Sequence, residues 1–292
     1  MNSLAEQSPA ELGGLGSVLS RQKRDHIRLD RLLHRLAEVR EAEQPPVLLE
    51  IYRLVFPHAF AEESVLWPVM RRLLPDGEEL TLRVELEHQQ INALVTRLDA
   101  LEPGSSERRQ VLDRVVALLR EDVRDEEDLL LPRLQRELTV VQLRRLGFVW
   151  EAVRLIAPTR AHPIVSRRPP GNVLAALPLS LLDRCRDGVD ALLHRGAGAA
   201  APQIEALGYA LARATRAVER LPGMKAGETP ATRAVRGSAS GWAPAALATV
   251  LAASAAVVLA RRRRGLRSRA AAVPVRRAPQ PGIFEVRVRA AS

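Results

Sequence analysis

The stretch "HAFAEESVLWP" at 58–68 is copied almost letter by letter by "DVRDEEDLLLP" at 122–132. Each sets a metal-capable side chain, His58 or Asp122, four residues before a glutamate, Glu62 or Glu126. Positions i and i+4 of an α-helix share a face, with Cβ atoms about 5–6 Å apart. Each stretch therefore offers two polar donors side by side. Both have an upstream companion of the same form, His26 with Asp30 and His88 with Asn92. The run from His26 to Glu62 maps onto that from His88 to Glu126 with offsets of 62 and 64, so the chain repeats a helix pair.

The segments around this repeat carry apolar residues at helical spacing. The spacing predicts a first helix from Gln22 to Arg40, closed by "EQPP" at 43–46, because proline cannot continue a helix. A second covers Val47–Leu74, with bends expected at Pro57 and Pro68, and stops at the Pro75-Asp76-Gly77 turn. A third runs from Glu79 to Leu101, and a fourth from the caps Ser105-Ser106 to Arg136. Four helices joined by short turns favour an all-α fold, an antiparallel four-helix bundle over 21–136. Additional helices are expected over 139–157, 179–194 and 203–221, making 137–221 a helical extension, with a linker at 222–241 and a basic, disordered tail at 261–292.

Folding the two pairs about a pseudo-twofold axis brings His26, His58, Glu62, His88, Asp122 and Glu126 to one depth of the core. Six buried polar groups are costly unless satisfied. A dinuclear metal site satisfies them, the two glutamates bridging ions about 3.5–4 Å apart. Imidazole with carboxylate suits two non-haem iron ions, with manganese or zinc as other fits. His34, His162 and His194 are expected at the surface or in ordinary hydrogen bonds. Glu63 and Glu127 are expected at the surface or supporting the ligands from behind.

Composition narrows the remaining classes. Aromatic residues make up 3 % of the chain, and there is a single cysteine, Cys185, which excludes an intrachain disulfide and a cysteine-based metal site. That fits a reducing compartment, and no basic-then-apolar leader opens the chain, so a cytoplasmic protein is expected. Residues 1–136 hold 19 Lys/Arg against 25 Asp/Glu, and the remainder 25 against 9, so an acidic front meets a basic back. Residues 242–260 are uncharged and precede "RRRRGLRSR", the pattern of a possible transmembrane helix or membrane anchor near the C-terminus. Nucleic acid is the weaker alternative for this tail, since no aromatic platform accompanies its arginines. No nucleotide loop or acid/base pair is visible away from the proposed metals, and the sequence leaves the oligomeric state open.

Residues 21–136 resemble the hemerythrin-like HHE cation-binding domain, whose doubled pattern is present as His26 with "HAFAEESVLWP" and His88 with "DVRDEEDLLLP". The later "APTRAHP" and "RRPPGN" resemble extensions of actinobacterial members. The resemblance implies a non-haem di-iron centre that binds oxygen, nitric oxide or peroxide. The family usually has histidine where this chain has Asp122. An extra anionic ligand is expected to favour ferric iron, and so a sensor or peroxide-reactive site over a reversible oxygen carrier. The alternatives are a peroxide-decomposing enzyme, and an iron-handling or interaction protein with a degenerate site.

Overall fold

The computed structural model describes residues 2–233. They form nine α-helical segments that run as seven rods, and there is no strand among the described residues. Helix α1 spans Val18–Glu38 and α2 Gln44–Ala61, which continues through a π-helical turn at Glu62–Leu66 into α3, Trp67–Leu73. Helix α4 covers Gly77–Leu98, and α5, Ser106–Asp125, continues through a second π-helical turn at Glu126–Leu130 into α6, Leu131–Glu137. Behind these come α7 (Val140–Ile156), α8 (Gly171–His194) and α9 (Ala201–Glu219).

The prolines act differently from their sequence reading. Pro45 and Pro46 open α2 instead of closing α1, because a first-turn residue needs no N–H. Pro57 is carried inside α2. Pro68 and Pro132 each follow a π turn; lacking an N–H, they cannot bond the carbonyl one turn back, and the chain takes a wider turn. In that turn the Trp67 N–H reaches five residues back to the Glu62 carbonyl, as Leu131 does to Glu126. Ser105 caps α5 as expected, its hydroxyl accepting from the Arg108 N–H.

Two apolar clusters fill the bundle. One is built around Leu33, Ile51, Val95 and Val115, the other around Leu19, Leu66, Trp67 and Leu131. The polar layer of the candidate site lies between them. Helix α7 lies across α1 and α2, held by fully buried Trp150 and by Gly147, where a Cβ would overlap the Gly16 carbonyl.

Two further expectations change. Helix α8 starts at Gly171 rather than 179, with Pro178 inside it. The expected linker at 222–241 is folded where it is described: the Ser166 and Gly171 N–H groups donate to the carbonyls of Met224 and Ala226, and Glu228 accepts from the Arg167 N–H at 2.8 Å. No helix among the described residues is long and apolar enough to cross a membrane, and the 242–260 segment, with the basic tail, lies outside them.

Candidate metal centre

Glu62 and Glu126 open the two π turns, on rods that run against α1 and α4. Their carboxylates meet three histidines in a buried layer. His26 Nε2 lies 3.1 Å from Glu126 Oε2, and His58 Nε2 lies 3.0 Å from Glu62 Oε1. His88 Nε2 is 3.7 Å from Glu62, 3.5 Å from Asp122 and 4.0 Å from Glu126. Two sets have donor atoms close enough to hold an ion, His26 with His58 and Glu126, and Glu62 with His88 and Glu126. Glu126 belongs to both. Asp122 is in neither set, but its carboxylate lines the same small cavity.

Five atoms in this layer are buried without a hydrogen-bond partner: Nε2 of His26 and His58, Oε2 of Glu62, Oδ1 of Asp122 and Oε1 of Glu126. Buried polar atoms are normally paired. Unpaired polar atoms from three helical rods in one buried layer are what a cation would satisfy, so the donor set fits a bound metal.

The opposite ring nitrogens are held. The Nδ1–H of His26 donates to Glu127 at 2.8 Å and that of His88 to Glu63 at 3.0 Å, while His58 Nδ1 faces Asp25 at a long 3.5 Å. In the neutral ring that binds a metal, a proton held on Nδ1 leaves the Nε2 lone pair facing the cavity. Gln22 donates to Glu62 Oε1 at 2.7 Å and fixes that carboxylate. Trp150 meets the His58 ring edge-on at 5.3 Å, and Arg154 lies over the indole and 3.6 Å from Asp25.

The structure brings all six residues expected from the sequence into one buried layer. Glu63 and Glu127 are placed behind the histidines and not on the surface. Asp25, Gln22 and Trp150 were missed. A signal existed for Asp25, because an acid precedes the histidine in both repeats, Asp25 before His26 and Glu87 before His88. His162 is buried in the extension, its Nδ1–H donating to Glu219 at 2.6 Å and its Nε2–H to Asp183 at 2.9 Å. His34 and His194 are exposed on their own helices.

Without metal the layer holds protons. Burial opposes charging His26, but the carboxylates of Glu126 and Glu127 outweigh it and raise its pKa to about 9. Burial, then the charges of Glu62 and Asp122, push Glu126 up to about 8. Both groups bind protons more tightly folded than unfolded. The contribution of His26 is fully present below its ordinary 6.5 and is lost as pH rises through about 9, and that of Glu126 is fully present below its ordinary 4.5 and is lost as pH rises through about 8. Metal-free protein should lose about 1.4 kcal/mol of stability per pH unit for each proton the fold retains, between neutrality and pH about 8. Chemical denaturation of chelated protein across that range checks this; a stability that rises with pH would contradict it.

The comparisons with known proteins agree with this geometry. Residues 17–134 match the family model described as the hemerythrin HHE cation binding domain. An uncharacterized hemerythrin-like protein of Schizosaccharomyces pombe is 24 % identical over 131 residues, covering 44 % of this chain and 64 % of the relative. The chain thus spans less than two thirds of that relative's length. No solved structure matches. Sequence repeat, helical bundle and inward donor layer agree with that match: residues 17–134 are similar to the hemerythrin HHE cation binding domain.

Proposed function

We propose that His26, His58, Glu62, His88, Asp122 and Glu126 hold two non-haem iron ions, and that the centre responds to a small oxidant or gas, namely dioxygen, nitric oxide or peroxide. The observation that carries the reading is the pair of donor sets sharing Glu126, with unpartnered ligand atoms buried in one layer. The imidazole–carboxylate mixture suits iron, with manganese or zinc as the other fits. Bound iron would supply a redox-active Lewis acid. The protein supports it with three imidazoles locked in one tautomer by Glu127, Asp25 and Glu63. Asp122 adds a negative charge, which favours the more highly charged ferric ion. Apolar layers on both sides exclude bulk water, which strengthens every charge interaction between them.

Purified full-length protein should carry close to the two iron ions of the two donor sets. His58→Ala should strip most of the metal. His194→Ala should leave it unchanged, since that ring is exposed and bonded only to the Asp190 carbonyl. Equal metal content in the two variants would overturn the assignment.

A further inference from the structure

The bundle is two tight hairpins, α1 with α2 and α4 with α5, so it has two seams between hairpins. The α2–α4 seam is covered. Phe56, Ala59, Phe60, Glu63 and Asn92 line it, and the 158–172 segment seats Arg160, His162 and Arg167 against them. The repeat gives these five residues counterparts in Arg120, Val123, Arg124, Glu127 and Asp30. All five counterparts line a groove in the α1–α5 seam, which no equivalent segment covers among the described residues. That groove is about 460 Å³, within the range of small-molecule sites.

The two seams differ in charge supply. On the covered one, phenylalanines wait for cations brought by the loop, and Arg167 Nη1 comes within 3.7 Å of Glu63. On the open one, both phenylalanines are replaced by arginines, and Arg31 joins them from α1. None of Arg31, Arg120 and Arg124 makes an ion pair or hydrogen bond among the described residues. Lys23 is turned to the Ala5 and Gln7 carbonyls, both at 2.7 Å. The acids at hand are engaged, Glu127 by His26 and Asp30 by His34. Between the arginines the floor is aliphatic, with Ile27, Leu29, Leu33, Leu119 and Val123. Leu29, Leu119, Val123 and His26 also wall the metal cavity, so one layer of side chains separates the two spaces.

We propose that the α1–α5 groove binds a soluble aliphatic carboxylate, its chain on the leucine and valine floor and its head group among Arg31, Arg120 and Arg124. An apolar floor alone would take a neutral molecule, and arginines alone a small oxyanion. Together they select a molecule with both parts. The proposal stands independently of which metal the centre holds.

The test is calorimetric titration of the full chain with decanoate, decanol and acetate, with metal content measured in parallel. Decanoate should saturate at one site, and decanol and acetate should each bind at least about tenfold more weakly. Replacing both arginines by the residues of the covered seam, Arg120→Phe with Arg124→Phe, should weaken decanoate about tenfold while metal content and helicity stay unchanged. Arg31→Ala, on the opposite wall, should weaken it as well, and serves alone if the double variant does not fold. No saturable decanoate binding, binding equal to that of decanol, or binding indifferent to the arginine changes would overturn the proposal. Loss of metal with retained decanoate binding would instead count against the iron centre only.

Discussion

Glu126→Gln is expected to release both metal ions while leaving the bundle folded. Glu126 is the residue common to both donor sets, so no second set survives its loss. Removing an outer hydrogen-bonding partner of a metal site typically costs 10–100-fold in affinity. Neutralising a shared ligand should exceed that, with a loss of more than about 100-fold. Glutamine keeps the volume but not the charge that burial, Glu62 and Asp122 oppose. The metal-free variant should therefore be at least as stable as metal-free native protein above pH about 8. Metal analysis and denaturation at pH 9 decide the matter. Retention of two ions, or a variant less stable than native when both are metal-free, would show that Glu126 is not the shared ligand.

Trp150→Ala should produce the largest loss of stability of any single change in the extension. The indole is fully buried, touches the His58 ring and carries the Arg154 guanidinium at 5.4 Å. Truncating a buried tryptophan costs about 3–5 kcal/mol, which for a chain of this size lowers the melting temperature by roughly 6–20 °C. The same change frees Arg154 and with it Asp25, the group behind His58. Metal affinity should fall about tenfold, in the manner of losing an outer partner. Thermal denaturation with and without chelator separates the two effects. A variant that melts like the native protein would show that α7 is merely laid against the bundle.

The inward residues were legible in the sequence because their spacing is strictly local. His58 with Glu62 and Asp122 with Glu126 are one turn apart, and a helix turns that spacing into a shared face. The second ring of contacts was not legible, for the opposite reason. Asp25 reaches His58 and Glu127 reaches His26 across helices, and no periodicity within one helix reports such pairs. For the consecutive glutamates the sequence left two places open, the surface or behind the ligands. At α-helical pitch the neighbour of an inward residue points well aside. Each pair instead opens a π turn, and Glu63 and Glu127 stay close enough to hold the opposite repeat's histidine. The packing of the proline-rich segment at 157–172 left no periodic signal, because prolines and arginines are usually solvated. Here Arg167 is buried and bonds the His162 carbonyl, and the His162 N–H bonds Asn92 at 3.0 Å.

The long reach of the His26–Glu127 bond, 101 positions along the chain, bears on how the molecule comes together. Contacts inside each hairpin close short loops and form early, whereas those between hairpins must wait for the two halves to meet. Both donor sets draw on both halves, so neither hairpin alone presents a complete one. Metal therefore cannot guide the early steps. It acts on the finished assembly, as a latch that slows the parting of the two halves and leaves the rate at which they first find one another nearly untouched.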